Sequence, residues 1–311
     1  MTTAFYTVVE THLAGDPMRP DVHWTSLSRP EIAAALYDQG HDVSVTVVDR
    51  VLEAEGFSRR APQKCRTMGD AADRNAQFKR IAKLRDQFFD AGDPVLSMDT
   101  KKKEMLGDYA RQGEVLADGR LPAWDHDFPT HSSGKVVPHG LYDLFRNEGY
   151  MHLGLSRDTS QFAADCLLDW WRQYGANRYP RTKRLLLLSD CGGSNGVHSD
   201  LYKSHLQVFA DRSGLTIRVA HYPPYCSKYN PIERRLFPHL TRSCQCQFLH
   251  SAEQYRDLLR STTTEPGLRV YARINRHAYE LGALATGSET QRLHIRHDRS
   301  LSTYNYCITP N

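Results

Sequence analysis

The stretch RLLLLSDCGGSNG, residues 184–196, decides the fold. Leu185 to Leu188 form the longest aliphatic block of the chain, and such a short continuous apolar run reads as a buried strand. The run ends at Asp190 and passes into Cys191-Gly192-Gly193-Ser194-Asn195-Gly196. Glycines here let backbone approach a phosphate closely, although the loop matches neither of the common phosphate-loop signatures.

Upstream, PVLSMD is a second buried strand running into Asp99. Residues 135–156 hold two more strand-like runs, KVVPHGLYDLF and YMHLGLS, separated by a turn at Asn147-Glu148-Gly149. A helix is expected from about Thr159 to Tyr174, with Phe162, Cys166, Leu167, Trp170 and Trp171 on its apolar side. Downstream, His198–Arg212 reads as a helix, LTIRVAHY as a further buried strand, and Asn230 as the start of another helix. An antiparallel hairpin followed by strands alternating with helices predicts an α/β fold with a mixed sheet flanked by helices. This is the element order of an RNase H-like domain.

Ahead of the sheet, Ser28 and Glu31 have capping-box spacing, Pro30 suits a first helical turn, and Gly40 closes the run. A second helix begins near Ser44 and turns Val47, Val48, Val51 and Leu52 inward. The pair reads either as an αα-hairpin or as a helix-turn-helix; the latter presents Thr46, Asp49, Arg50 and Glu53 where a DNA-reading helix places its contacts. Residues 72–90 form a charged amphipathic helix with Phe78, Ile81, Leu84 and Phe88 on one face. The expected division is a short N-terminal segment (1–24), a helix-turn-helix region (25–67), a linker helix (68–92), an RNase H-like catalytic domain (93–262) and a basic C-terminal extension (263–311).

The 311 residues are 40% hydrophobic and 24% charged, enough apolar material for a core and too much for a disordered tail. No apolar run approaches the ~18 residues of a membrane span, and the N-terminus lacks the pattern of a secretory signal. Seven cysteines without a CxxC pair indicate neither a zinc module nor a disulfide framework, so a reducing, cytoplasmic setting is expected. The net charge of +4 is mild, but basic residues cluster at Arg59–Arg66, Lys101–Lys103, Arg181–Arg184 and Arg292–Arg299. Singly each cluster is a solvated surface; together they favour a polyanionic partner.

Asp99 and Asp190 end strands, and Glu233 lies in the first turn of a helix. Carboxyl ends of strands in an open α/β sheet are where ligand sites collect. Three converging carboxylates repel one another unless a divalent cation lies between them, and hard oxygen donors select Mg²⁺ or Mn²⁺. Two such ions support in-line phosphoryl transfer. Each residue also has a purely structural reading, since Asn230, Pro231 and Glu233 make a sound helix start.

The segment HYPPYCSKYNPIERRLF (221–237) resembles the third-carboxylate motif of DDE transposases. With LLLLSDCGGSNG, VLSMDTKKKE, the His126-Asp127-Phe128 triplet, GLYDLFRNEG, DTSQFA, the Trp170-Trp171 pair and TTTEPGLRVYA, the chain resembles the ISAzo-type, or Rhodopirellula-type, insertion-sequence transposases from about residue 15 to about 290. The resemblance implies a DNA-nicking and strand-joining enzyme acting on double-stranded transposon ends and target DNA. It implies Asp99, Asp190 and Glu233 as ligands of two Mg²⁺ or Mn²⁺ ions, a homo-oligomer on DNA, and a bacterial, nucleoid-associated location when bound. Arg50, Lys101, Lys102, Lys103, Asn195, Lys228, Asn230, Arg234 and Arg235 become the expected DNA contacts. Three positions depart from the family pattern: Cys191 stands where a third Gly is usual, Tyr225-Cys226 replaces Gly-Thr, and Cys246 replaces Gly. Replaced glycines tighten a loop wherever φ must be positive. The chain also looks short ahead of the helix-turn-helix, and the alternative is a catalytically silent relic that only binds DNA.

Overall fold

The computed structural model describes residues 2–16, 19–59, 73–124, 126, 128–192, 196, 199–280 and 293–311. They fall into two compact units, Met1–Arg66 and Thr67–Asn311.

The first unit runs α1 (Thr2–Val9), β1 (Leu13–Asp16), β2 (Arg19–Thr25), α2 (Arg29–Asp38) and α3 (Val45–Ala54). β1 and β2 pair antiparallel, and Phe5, Val8, Val9, Ile32, Leu36 and Val48 bury a core shared by the three helices. The capping box of α2 forms: Glu31 N–H donates to Ser28 Oγ, and Ser28 N–H donates to Glu31 Oε2 at 2.6 Å. Ser44 sits at the N-cap of α3 but makes no side-chain cap bond. Arg29 and Asp49 form a 2.5 Å ion pair between α2 and α3. That pair occupies one of the side chains expected to face outward, while Thr46, Arg50 and Glu53 are exposed. The stretch expected only as a short N-terminal segment supplies α1, the hairpin β1–β2 and half the core of this unit. With only 8 residues, α1 shows barely two turns of periodicity, too few to read in isolation.

The second unit begins with α4 (Arg74–Asp90), followed by β3 (Val95–Thr100), β4 (Glu104–Leu106), β5 (Gly134–Asp143) and β6 (Glu148–Gly154). Then come α5 (Ser160–Trp170), α6 (Ala176–Arg178), β7 (Arg184–Ser189), α7 (Asp200–Ser213) and β8 (Thr216–His221). The chain ends with α8 (Pro231–Arg235), α9 (Phe237–Ser243), α10 (Ala252–Arg260), β9 (Arg269–Asn275), β10 (Ile295–His297) and β11 (Asn305–Ile308). The strands make one nine-stranded mixed sheet in the order β10-β11-β8-β7-β3-β5-β6-β9, with β4 paired to β5. β3–β7 and β7–β8 are parallel, β3–β5 and β5–β6 antiparallel, which is the RNase H-like arrangement.

The leucine block explains itself in this sheet. Leu185 and Leu187 face the core under α5 and α7, while Leu186 and Leu188 face the opposite layer with Ile81, Leu84 and Phe88 of α4. Helices cover both faces, so alternation disappears from the sequence. α4, expected as a linker, is therefore part of the domain; its apolar face is the lid on β3, β7 and β8. The segment beyond residue 262, expected as an extension, contributes β9 beside β6 and β11 beside β8. The hairpin turn also closes earlier than expected. Asp143 accepts from the N–H groups of Phe145 and Arg146 at 3.0 and 3.1 Å, so Glu148 and Gly149 already belong to β6.

Candidate active site

Register places the two aspartates. Along the parallel β3–β7 pair Val95 faces Leu186 and Ser97 faces Leu188, and the same offset carried onward brings Asp99 level with Asp190. Residues level with each other on neighbouring strands point to the same side of the sheet, at the carboxyl ends where the strands stop pairing.

Glu233 is brought over that edge by a staple between α8 and β3. Ser97 Oγ donates to Asn230 Oδ1 at 2.5 Å and accepts from Ile232 N–H at 2.9 Å, while Asn230 Nδ2 donates to Met98 O at 3.1 Å. Thus a serine from the strand, rather than the N-cap asparagine, satisfies a free amide in the first turn of α8. The other end of the connecting segment is pinned beside Asp190. Tyr222 N–H donates to Ser189 O at 2.8 Å, and Cys191 Sγ–H donates to Tyr222 O at 2.8 Å. The His221 ring backs this corner: its Nδ1 lies 2.8 Å from Asp190 O and its Nε2 3.0 Å from Tyr306 O–H. A carbonyl only accepts, so Nδ1 carries the hydrogen and Nε2 receives the tyrosine hydroxyl.

The three carboxylates perturb one another. Burial, then Asp190, raises the Asp99 carboxyl to about 8; Glu233 raises it further, while the Thr100 N–H and Asn230 oppose the shift. Burial likewise raises Asp190 and Glu233; the charge of Asp190 adds to the rise at Glu233, while Asp99 and Lys101 oppose it. Asp190 Oδ1 is buried with no hydrogen-bond partner among the described residues. Among the described residues no three His, Cys, Asp or Glu side chains stand close enough to hold an ion as they are. The donor chemistry is that of a hard divalent cation: three carboxylates from three elements, with burial and mutual charge together raising Asp99.

The basic residues divide. Lys228, Arg234 and Arg235 are exposed on and just before α8, with Arg234 Nε donating to Lys228 O at 2.7 Å. Lys102 and Lys103 are exposed after β3, but Lys101 is only 10% exposed and bonded to Glu104 at 2.7 Å. Asn230, expected to contact DNA, is fully buried and both ends of its amide are engaged with β3, so it holds α8 rather than a ligand. Asn195 and Asp127 lie outside the described residues. Arg50 belongs to the first unit and is exposed on α3. Ser97, His221 and Tyr306 were not singled out from sequence; the one local signal is a polar residue inside an apolar strand, as Ser97 is in VLSMD.

Over residues 4–310 the sequence matches the family described as the Rhodopirellula transposase DDE domain. The chain belongs to that family. It is a DDE transposase by family and has an RNase H-like fold. Among solved structures, this transposase is similar to a Mos1 transposase paired-end complex with the left transposon end, at 13% identity and a TM-score of 0.46, covering 83% of this chain and 69% of that one. A mariner Mos1 paired-end complex with Mg is similar at 14% identity and a TM-score of 0.47, covering 83% and 69%. No curated protein matches the transposase in sequence. No helix among its described residues is long and apolar enough to cross a membrane.

Proposed function

We propose that this transposase cleaves DNA at the ends of its insertion sequence and joins the freed ends to target DNA, with Asp99, Asp190 and Glu233 holding divalent cations. The observation that carries this reading is the level placement of Asp99 and Asp190 on adjacent parallel strands, with Glu233 tied over them by the Ser97–Asn230 staple. Bound Mg²⁺ or Mn²⁺ would lower the pKa of a water or 3′-hydroxyl nucleophile and offset charge on the leaving oxygen. The protein's own part is positional. Asp190 would offer its carboxylate from the end of β7, Asp99 would ligate in its ionised form, and Glu233 would close the third side from α8. Lys102, Lys103, Lys228, Arg234 and Arg235 supply phosphate contacts around the site, and Arg50 on α3 serves end recognition. Joining two ends calls for more than one copy on the DNA.

The test is cleavage of labelled duplex carrying the gene's own flanking ends with Mg²⁺ or Mn²⁺. Wild type is expected to nick at the element boundary, and Asp190→Asn to bind the duplex within about twofold yet cut at least ~10³-fold more slowly, a loss of about 4 kcal/mol of transition-state stabilisation. Equal cutting by both proteins sinks the ligand assignment. Retarded but uncut DNA with wild type would instead support a silent, DNA-binding descendant.

A further inference from the structure

Residues 222–230 bridge the two halves of the site. One end is pinned to β7 beside Asp190 and the other to β3 beside Asp99. At the middle of this bridge, Cys226 N–H donates to Pro223 O at 3.1 Å, closing a turn with Pro224 and Tyr225 as its central residues. Tyr225 has φ +60°, the left-handed conformation that this turn position demands and that glycine adopts without cost. Its side chain is 62% exposed. A large aromatic thus stands in solvent at a position where its presence strains the backbone, in the segment that joins the strand end at Asp190 to the helix of Glu233.

The next aromatic on the bridge organises cations. Lys228 Nζ lies 5.3 Å and Arg234 Cζ 5.0 Å from the centre of the Tyr229 ring, whose edge rests on Phe78 of α4 at 5.1 Å. Tyr229 therefore holds two positive groups, one on this segment and one on α8, and its ring is already in use. Tyr225 is the ring on offer. Exposed aromatic surface next to fixed cations is the chemistry of single-stranded nucleic acid binding, in which bases stack on rings and phosphates meet lysine and arginine.

We propose that Tyr225 stacks on an unpaired base adjoining the phosphodiester held at the carboxylates, with Lys228 and Arg234 gripping the backbone of that nucleotide. The proposal deepens the transposase reading and rests on it for the position of the DNA strand. It gives the site a preference for locally opened DNA that does not depend on base identity, because every base has a stacking face. It also supplies a reason for a strained tyrosine where glycine fits better.

The test separates stacking from both folding and cleavage. Anisotropy of a fluorescent single-stranded oligonucleotide, at low salt and without a divalent cation, is compared for wild type, Tyr225→Phe and Tyr225→Gly, with thermal melting of each. Tyr225→Phe should bind as wild type, and Tyr225→Gly roughly tenfold more weakly, while melting at the same or a higher temperature. Opposite movement of binding and stability is not what a structural role produces. A 5-iodouracil placed next to the cleaved bond should photocrosslink to Tyr225 in wild type. Equal single-strand binding by Tyr225→Gly, no single-strand binding by wild type, or a change in self-association in place of one in DNA binding would each overturn the proposal. Single-strand binding that depends on Tyr225 in a protein unable to cut its ends would leave stacking standing and remove the transposition reading.

Discussion

Asp99 is a carboxyl whose behaviour depends on what stands beside it. Its ordinary value of 3.8 rises to about 8 through burial and the charges of Asp190 and Glu233. From about pH 4 to about pH 8 the folded protein keeps a proton that the unfolded chain releases, so metal-free stability falls as pH rises across that window. A cation reverses the balance by favouring the ionised form, so binding expels the proton and tightens as pH rises toward 8. Calorimetric titration with Mn²⁺ should therefore release about one proton at about pH 6.5, and close to none above about pH 9.5, with higher affinity at the upper pH. Proton release independent of pH would contradict the assignment of Asp99 as a ligand. Ser97 illustrates a different residue-scale role. Its hydroxyl reaches a partner 133 positions away and replaces the N-cap that Asn230 was expected to supply.

At the scale of elements, the positions where family glycines are replaced show why glycine is usual there. Tyr225 and Cys246 have φ of +60° and +54°, so both occupy the left-handed region, whereas Cys191 is not among the positive-φ residues. Cys246 lies in the turn after α9, where Gln247 N–H donates to Cys244 O at 3.2 Å. A non-glycine residue costs about 1–2 kcal/mol in that conformation, and glycine returns about 0.5–1 kcal/mol of that through the unfolded chain's entropy. Cys246→Gly is expected to gain about 0.5–1 kcal/mol, visible as a rise of roughly 1–4 °C in melting temperature. A lower melting temperature would mean that the side chain contributes packing worth more than the strain. The packing of α8 and α9 onto the hairpin depends on glycine in another way. A Cβ at Gly140 would stand 2.8 Å from Ile232 and 2.9 Å from Phe237, so the strand must be bare for the helix that carries Glu233 to settle against it.

At the scale of the whole chain, the second unit is closed by its last residues. Asn305 Nδ2 donates to Gln77 Oε1 at 2.6 Å, and Gln77 Nε2 donates to His221 O at 2.8 Å, so α4, β8 and β11 meet in one buried network behind Asp190. Arg218 on β8 is paired with Asp298, which also binds Arg80 of α4 at 2.7 Å. A chain ending at residue 262 would strip β9 from β6 and β11 from β8 and leave Gln77 buried without its partner, at about 1–3 kcal/mol for that group alone. Such a truncation is expected to lose the cooperative melting transition seen by circular dichroism; a soluble fragment with a sharp transition would show that 263–311 is dispensable. The leucine block, the hairpin and the alternation of strands and helices are local patterns, and sequence alone determined them because periodicity and strand ends need no distant partner. The role of α4 as a lid, the closure of the sheet by β9 and β11, the burial of Asn230, and the staples from Ser97 and His221 were decided only by the tertiary structure. Each depends on pairing between groups far apart in the chain, and a polar side chain's sequence neighbours do not say whether it will meet water, a phosphate or another buried amide.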